Sequence, residues 1–514
     1  MERGAPLQDA LFAEGVEFPC GGRGRCKGCR VRVLAGHLPV SAEDEQRLTP
    51  AELVAGWRLA CRARAEADLK LELAQWEAAI LTDDSRFTFT PRDGWGVAVD
   101  LGTTTIVAQL LDLRTGNVQG VRLGLNQQAR HGADIMSRIE FAIAGNGQAQ
   151  LTSLVRQQIG RMIAELTQVP VPSGVPCPRE IKQIVVVGNT VMHHLFCGVS
   201  VAPLAHHPFA PVDDGLKVLS AADLGWSLAG NPELRFLPCL GGFVGSDILA
   251  GILATGLHQN EGLVGLVDLG TNGEIVIGNR ERILCASTAA GPAFEGARIS
   301  LGMRAATGAI AEVAVHDGAL HCHVLGNTAP RGICGSGLVD AVAAGLELGW
   351  ILPSGRLALA GDLPLVPPVV LTAGDIRELQ LAKAAIAAGI RLLLRQWGAT
   401  KADLSLLHLA GAFGNYINRS SARRIGLLDF PLERVRPAGN TALLGAKLAL
   451  FGWREHPGLF PELRGLIQHV PLNEDPQFHE IYVDEMPFPG SAGASPHHTV
   501  HSHQACSPEQ GGFP

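Results

Sequence analysis

The sequence predicts a mixed α/β and α+β protein, in which a small cysteine-rich module precedes a large, duplicated α/β region. Three observations favour this fold class: four cysteines lie within the first 61 residues, an apolar strand ending in Asp-Leu-Gly-Thr occurs twice, and the 514 residues include 62 glycines. With 46% hydrophobic residues, the chain can build several cores. We expect segments at residues 1–75, 76–94, 95–260, 261–486 and 487–514.

Residues 1–75, here called the cysteine module, carry four cysteines with the spacing of an iron–sulfur site. Three form a C-x5-C-x2-C run, and the fourth follows after 31 residues: Cys20, Cys26, Cys29 and Cys61. Glycines inside the run allow backbone N–H groups to approach the sulfur atoms and tune a cluster. A [2Fe–2S] cluster is therefore the favoured interpretation.

Zinc and disulfide bonds are the alternatives for these cysteines. A structural zinc site usually has two C-x2-C pairs, whereas Cys61 stands alone. Disulfides need an oxidising compartment, and the N-terminal residues lack the pattern of a signal peptide. Zinc thus remains the main alternative. The other cysteines lack ligand spacing and are expected to be mostly small buried side chains: Cys177, Cys197, Cys239, Cys285, Cys322, Cys334 and Cys506.

The cysteine spacing resembles that of adrenodoxin-like ferredoxins. This resemblance implies a ferredoxin-like β-grasp fold, with the [2Fe–2S] cluster held by all four cysteines. Such modules usually begin with a β-hairpin. Only six residues precede the helix expected at Leu7 to Gly15, so we expect the N-terminal hairpin to be missing. Residues 76–94 are expected to form a linker. Basic residues around the cysteine run suggest either a solvated face or a docking surface for an acidic partner: Arg23, Arg25, Lys27, Arg30 and Arg32.

The region after residue 94 contains an internal repeat. Residues 96–110 (GVAVDLGTTTIVAQL) and 265–277 (GLVDLGTNGEIVI), here called the first and second hairpins, each contain two apolar strands joined by a polar turn. Their aspartates, Asp100 and Asp268, are far apart in the sequence, so the repeated unit is a domain half. The halves are expected at 95–260 and 261–486.

Each turn has the residues that bind a phosphate. Glycine lets the backbone come close, successive N–H groups and threonine hydroxyls donate to phosphate oxygens, and an aspartate at a strand end can hold Mg²⁺ through water. Two such hairpins that face each other would clamp a triphosphate. The candidate nucleotide-binding residues are Asp100, Gly102, Thr103 and Thr104 in the first hairpin, and Asp268, Gly270, Thr271, Asn272 and Gly273 in the second.

The two hairpins resemble the phosphate-1 and phosphate-2 motifs of the acetate/sugar kinase, heat-shock chaperone and actin superfamily. Residues 406–414 (LLHLAGAFG) resemble its adenosine motif, which assigns nucleotide contacts to Gly411 and Gly414. Residues 184–190 and 439–450 resemble its connecting corner and helix. The resemblance implies a duplicated actin-like, RNase H-like ATPase domain that binds ATP and Mg²⁺.

Two carboxylates are candidate catalytic residues. Asp247 lies where a loop enters the helical pattern ILAGIL, so it is either catalytic or the N-cap of that helix. Glu274 follows the second turn and is either catalytic or exposed on the strand. Asn272 either donates to a phosphate or satisfies the turn itself.

The combination of an iron–sulfur module with this nucleotide fold resembles the reductive activators of corrinoid proteins. The resemblance spans all but the tail. It implies an ATPase coupled to one-electron transfer, in which a reduced donor supplies an electron that the cluster passes to the cob(II)amide of a corrinoid protein. Two alternatives stay open: a small-molecule kinase with a regulatory cluster, and a nucleotide-binding redox sensor.

Composition limits the remaining function classes. The formal net charge of −7 argues against nucleic-acid binding, and no uninterrupted apolar run is long enough to cross a bilayer. We expect a cytoplasmic protein, and a homodimer is compatible with the sequence. Residues 487–514 are rich in Pro, Gly, Ser and His and are expected to be disordered.

Overall fold

The computed structural model describes residues 4, 6–8, 11, 29–73, 85, 87–168, 180–270, 272–453, 456, 458–490 and 507–508. Cys20, Cys26 and Thr271 lie outside these residues, as does most of the predicted helix from Leu7 to Gly15. The strands are β1 Arg30–Ala35, β2 Trp57–Leu59, β3 Lys70–Leu73, β4 Trp95–Leu101, β5 Thr105–Asp112, β6 Val118–Leu125, β7 Ile181–Gly188, β8 Lys217–Ser220, β9 Glu233–Phe236, β10 Leu263–Leu269, β11 Gly273–Gly278, β12 Ile283–Thr288, β13 Ala309–His316, β14 Ala319–Val324, β15 Gly332–Ile333, β16 Leu363–Pro364, β17 Val370–Leu371, β18 Leu404–Ala410, β19 Val435–Gly439, β20 Ile467–His469 and β21 Ser507–Pro508.

Helices connect and cover these strands. They are α1 Ala42–Arg47, α2 Pro50–Val54, α3 Ile135–Ile143, α4 Gly147–Thr167, α5 Thr190–Cys197, α6 Ser246–Thr255, α7 Gly335–Glu347, α8 Ala373–Trp397, α9 Gly411–Tyr416, α10 Arg419–Arg424, α11 Thr441–Gly452, α12 Leu459–Leu466 and α13 Phe478–Asp484. Among the described residues, no helix combines the length and the apolar character needed to span a membrane.

The cysteine module contains a small antiparallel sheet in the order β2-β1-β3. Ser41 and Thr49 each begin a short helix with a capping box, which explains why two helices form within thirteen residues. The N-terminal segment pairs beside this sheet, because Pro6 forms an antiparallel bridge with Arg64. One small hydrophobic core closes the module.

The duplicated region forms two six-stranded sheets that share the same topology in five strands and differ in the edge to which the sixth, β8 or β20, is added. The first has the order β6-β5-β4-β7-β9-β8 and the second the order β19-β18-β10-β11-β12-β20. In both, three consecutive antiparallel strands are followed by parallel strands beside the first of the three. The central strands are almost continuously buried, as expected for sheets covered on both faces. The internal repeat therefore corresponds to a repeated sheet.

Helices α6 and α11 cross between the two sheets. Side chains from both helices and both sheets share one hydrophobic core, which includes Val185, Ile248, Leu266 and Leu443. The crossing is close because Gly445 faces the backbone of Ala250, where a Cβ atom would clash with the carbonyl oxygen. The glycine at position 445 therefore sets how closely the two helices approach each other.

Replacing Gly445 with alanine is expected to destabilise the protein by about 1–3 kcal/mol, because the added methyl group overpacks this crossing. Gly452, at the end of the same helix, has no atom near its Cβ position and provides the matched control. We expect thermal unfolding to show a lower midpoint for Gly445→Ala and no decrease for Gly452→Ala. Equal midpoints for the two variants would contradict the close crossing.

Two further segments pack differently from the sequence expectation. Phe488, assigned to the disordered tail, is 2% exposed, and its N–H donates to the Pro353 carbonyl at 2.8 Å. The Lys383 ammonium donates to the Pro487 carbonyl at 2.6 Å, so the packed chain continues past residue 486. In the predicted linker, Phe89 packs against Phe451 of α11, with ring centroids 4.4 Å apart.

Candidate functional site

The two hairpins occupy equivalent places in the two sheets. Asp100 lies near the end of β4 and Asp268 near the end of β10, and each strand continues into a tight turn. The Gly102 N–H donates to the Thr105 carbonyl at 3.0 Å, and the Gly270 N–H donates to the Asn272 carbonyl at 3.1 Å. Both turns open into one cleft between the sheets, here called the nucleotide cleft.

Most of the predicted site residues line this cleft. They are Asp100, Gly102, Thr103, Thr104, Asp247, Asp268, Gly270, Asn272, Glu274 and Gly411. Gly273 and Gly414 are placed elsewhere: a Cβ atom on Gly273 would press against Ile386 and Thr288, and one on Gly414 would lie 3.1 Å from Leu409. In the described structure these two glycines make room for neighbouring side chains and do not line the cleft.

Burial raises the pKa values of four carboxyl groups in the cleft, and neighbouring carboxylates add to the shift in three of them. Burial raises the pKa of Asp100 to about 6, although a hydrogen bond from Asn440 opposes the shift. Burial and the neighbouring carboxylates raise the pKa of Asp247 and of Asp268 to about 7. Burial, Asp247 and Asp268 also raise the pKa of Glu274 well above its usual value. The cleft thus concentrates negative charge.

The structure excludes the two structural alternatives that were considered for Asp247 and Glu274. Gly245 is the N-cap of α6, and Asp247 lies in the first turn, so the N-cap interpretation of Asp247 was wrong. The Asp247 carboxylate accepts from the Ile248 N–H at 2.9 Å and lines the cleft. Glu274 is 8% exposed and lies opposite Asp268 in the sheet, so the solvent-facing alternative was also wrong.

Two asparagines that the sequence interpretation missed hold the first hairpin's polar groups. Asn440 donates to the Asp100 carboxylate at 2.9 Å, and Asn189 donates to the Thr103 hydroxyl at 2.8 Å. Each also caps the helix that follows it, α11 and α5 respectively. Both stand in a Gly-Asn-Thr sequence after a strand, a repeated pattern that could have revealed them.

The donor set fits a magnesium-bound nucleotide. Mg²⁺ prefers carboxylates and retained waters, and a divalent cation would neutralise the charge that raises these pKa values. The threonines and glycine turns suit phosphate oxygens. Phe294 and Phe413, whose stacked rings have centroids 4.6 Å apart, also line the cleft near Gly411 and give it an aromatic wall.

Stability should fall as pH rises through these raised pKa values. Between the usual carboxyl pKa of about 4 and the folded values of about 6 to 7, the folded protein binds more protons here than the unfolded chain. We expect the unfolding midpoint, measured with a chelator, to decrease by a few degrees between about pH 5.5 and pH 7.5.

The unfolding midpoint of Asp268→Asn should decrease less than that of the parent over the same pH range, because the substitution removes one titrating group and one repelling charge. Mg²⁺ should restore most of the parent's loss, since the cation binds the deprotonated carboxylates. Identical pH profiles for the parent and Asp268→Asn, with no response to Mg²⁺, would contradict this electrostatic description.

Two of the four predicted cluster cysteines lie within the described residues. Cys29 is 1% exposed, Cys61 is half-buried, and both contribute to the core of the cysteine module. The Ala60 N–H donates to the Cys29 carbonyl at 3.0 Å, which fastens their two segments together. Thiolates brought together in this way suit an iron–sulfur cluster.

Asp44 is a buried residue that stabilises the segment leading to Cys61, and the sequence interpretation missed it. Its carboxylate is 2% exposed and accepts from the N–H groups of Ser41 at 2.8 Å and Leu59 at 2.7 Å. It thereby connects helix α1 to the strand that leads to Cys61. The pattern Ser-x-x-Asp predicts the capping role, but nothing local predicts the bond to Leu59.

The described basic residues near the cysteines are paired with acidic ones. Arg30 contacts Glu52 at 3.1 Å, and Arg32 lies 3.7 Å from Glu72. Glu72 also contacts Arg331 at 2.7 Å, which links the cysteine module to the second half. Arg23, Arg25 and Lys27 lie outside the described residues. Because Arg30 and Arg32 are paired with glutamates, they would add little net positive charge to a docking surface for an acidic partner.

Three family models match successive parts of the chain. Residues 2–66 match the 2Fe-2S iron-sulfur cluster binding domain, 95–260 the RACo middle region, and 263–499 the C-terminal domain of RACo, the ASKHA domain. With the two matched sheets, these similarities confirm the predicted fold class: a ferredoxin-type module followed by an actin-like ATPase fold.

Full-length relatives and a solved structure support the family assignment. The corrinoid activation enzyme RamQ of Eubacterium limosum is 36% identical over 76% of this chain and 69% of its own length. The Co(II) methylated amine-specific corrinoid protein reductase of Methanosarcina barkeri is 27% identical over 77% of each chain. A solved reductive activator for a corrinoid, iron-sulfur protein is 26% identical, with a TM-score of 0.68 over 96% of this chain and 97% of its own. The chain therefore belongs to the family of reductive activators of corrinoid proteins.

Proposed function

We propose that this protein uses ATP to return the inactive cob(II)amide of a corrinoid protein to the cob(I)amide state. The observation that carries the proposal is the presence, in one chain, of a cysteine module and of an acidic cleft between two phosphate-type hairpins. The relatives named as corrinoid activators support the choice of partner. The electron comes from a separate reduced donor.

The cysteine module is the proposed electron-transfer site. A [2Fe–2S] cluster, held by Cys20, Cys26, Cys29 and Cys61, would supply one-electron transfer there. Cys29 lies in the module's core and Cys61 at its edge. The hydrogen bond from Ala60 to Cys29 joins the two cysteine segments, and the bond from Leu59 to Asp44 anchors the Cys61 segment to helix α1. The module's task is to hold these thiolates rigidly while its edge meets the partner.

The nucleotide cleft is the proposed site of ATP binding and hydrolysis. Asp100 and Asp268 would hold Mg²⁺ through water, while the two turns bind the phosphates. Asp247 is the proposed base for the attacking water, because a pKa of about 7 allows it to accept a proton at neutral pH. Burial and the neighbouring Asp247 and Asp268 raise the pKa of Glu274 well above its usual value, so its protonated form would donate a hydrogen bond within the same cleft.

ATP contributes conformational work in this proposal. Reduction of a cob(II)amide by a physiological donor is uphill, and a nucleotide can change that balance only if its states have different affinities for the partner's conformations. Two sheets that meet at a cleft, joined by the crossing of α6 and α11, offer an arrangement that can open and close. No phosphorylated product is required.

ATP hydrolysis measured with and without a corrinoid protein tests the proposal. An activator should hydrolyse ATP faster when the cob(II)amide partner is present, and the product should be free phosphate. Phosphorylation of a small metabolite would instead identify a kinase, and binding without turnover would identify a sensor. Either of those outcomes would overturn the activator assignment.

A further inference from the structure

The back of the first hairpin is held by residues from another segment. Asn126 donates through its side chain to the Gly102 carbonyl at 2.9 Å and through its backbone to the Thr104 carbonyl at 2.8 Å. The Arg138 guanidinium donates to the carbonyl between them, that of Thr103. Three consecutive peptide groups are thus fixed from one side. Because a trans peptide points its C=O and N–H in opposite directions, the N–H groups that follow these carbonyls point away from Asn126 and Arg138.

The residues that make these bonds are completely buried. Asn126, Gln128 and Arg138 are each 0% exposed. Arg138 also donates to the Gly132 carbonyl at 2.8 Å and to the Gln128 side chain at 3.3 Å. A buried guanidinium depends strongly on its acceptors. Its charge polarises the Thr103 peptide group, which makes the N–H of that group a stronger donor.

The same segment contacts the cysteine module. Residues Gln127–Arg130 form a short 3-10 helix directly after Asn126. Ala129 is 4% exposed and belongs to the hydrophobic core of the cysteine module, together with Leu7 and Val31. The Gln8 side chain donates to the Arg130 carbonyl at 3.4 Å. Only two residues therefore separate Asn126, which supports the phosphate-type turn, from Ala129, on which the cysteine module rests.

We infer that Asn126 and Arg138 are positioning residues for the first hairpin, and that residues 126–130 couple its nucleotide state to the docking of the cysteine module. The inference rests on the proposed binding of ATP. A nucleotide that tightens the hairpin shifts the carbonyls of Gly102 and Thr104, and Asn126 must follow them. Coupling of this kind is reciprocal, so displacement of the module must weaken nucleotide binding in turn.

The positioning role is tested by nucleotide affinity in the full chain. Asn126→Ala and Arg138→Gln should weaken MgATP binding at least tenfold, and Arg138→Lys should bind with intermediate affinity because it keeps the charge. Adenosine, which has no phosphate, should bind each variant as it binds the parent. Arg122→Gln, which removes an exposed arginine paired with Glu165, is the matched control and should leave MgATP affinity unchanged.

Equal weakening of MgATP and adenosine would indicate general damage to the fold and overturn the positioning role, as would unchanged MgATP affinity in both Asn126→Ala and Arg138→Gln. If the parent itself failed to bind MgATP, the proposed function would be wrong. If the parent bound MgATP and the variants bound it with the same affinity, only the positioning role would be wrong.

The coupling is tested at the module's resting surface. Ala129→Glu should displace the cysteine module, which small-angle X-ray scattering would show as a larger radius of gyration, and should weaken MgATP binding about fivefold. The visible spectrum should stay unchanged, because the cysteines are untouched. Ala51→Glu, on an exposed position of α2, is the control for both measurements. Parent-like MgATP affinity in Ala129→Glu, whether or not the module moves, would overturn the coupling.

Discussion

Replacing Asp268 with alanine is expected to lower Mg²⁺-dependent ATP hydrolysis by about 100-fold or more, since the site loses a carboxylate that would hold the Mg²⁺ ion against the reacting phosphates. Asp268 lies at the end of β10, and its Oδ1 atom is 2.5 Å from the position that a Cβ on Gly411 would take. Within the second hairpin, Asp268 therefore lies against the predicted adenosine motif. The iron content should not change, because the cysteines are in a separate module.

Asp100→Ala should behave in the same way, because Asp100 occupies the equivalent position in the first sheet and is held there by Asn440. Asp429→Ala is the matched control: that carboxylate is exposed, and it pairs with Lys401 on the surface. Release of phosphate at the parent rate by both Asp100→Ala and Asp268→Ala would show that the hairpins are not the phosphate site.

Replacing Cys61 with serine is expected to remove the visible absorption and reduce the iron content from about two atoms per chain to nearly none. A serine oxygen is a poor substitute for a thiolate toward iron. Cys29→Ser should have the same effect, because Cys29 is another of the four proposed ligands and its replacement also removes one thiolate. Hydrolysis of ATP should be largely retained, because the nucleotide cleft keeps all its carboxylates.

Cys197→Ser is the control for these variants. Cys197 is half-buried at the end of α5, and burial raises the pKa of its thiol to about 12, so it is not available as a thiolate. Its replacement should leave both the spectrum and the iron content intact. An unchanged spectrum in Cys61→Ser would exclude the proposed set of ligands.

Local patterns were enough to predict the repeated sheets and the aspartates of the cleft. The apolar strands around Asp100 and Asp268 have a composition that forms buried strands, and Gly-Thr turns follow them directly. The spacing of small residues also predicted the helix at 441–452. These features depend on neighbours within a few positions, which is the range over which sequence patterns carry information.

Tertiary contacts decided what the sequence left open. Asp247 and Glu274 could not be distinguished from a helix cap and an exposed strand residue until the opposite sheet enclosed them. Gly273 and Gly414 belong to the predicted motifs, but their neighbours are Ile386 and Leu409. Asn126 and Arg138 lie more than twenty residues from Gly102 and Thr103, the turn residues whose carbonyls they bind, so no local pattern could identify them.

Reduction of a cob(II)amide protein, followed by its visible spectrum, tests the central claim most directly. The parent, with a reductant and MgATP, should convert the cob(II)amide to cob(I)amide, and omission of either component should stop the conversion. Cys61→Ser should still hydrolyse ATP yet fail to reduce cobalt, and Asp268→Ala should keep its iron yet fail as well. Cobalt reduction at the parent rate by Cys61→Ser, or by the parent without ATP, would contradict the account.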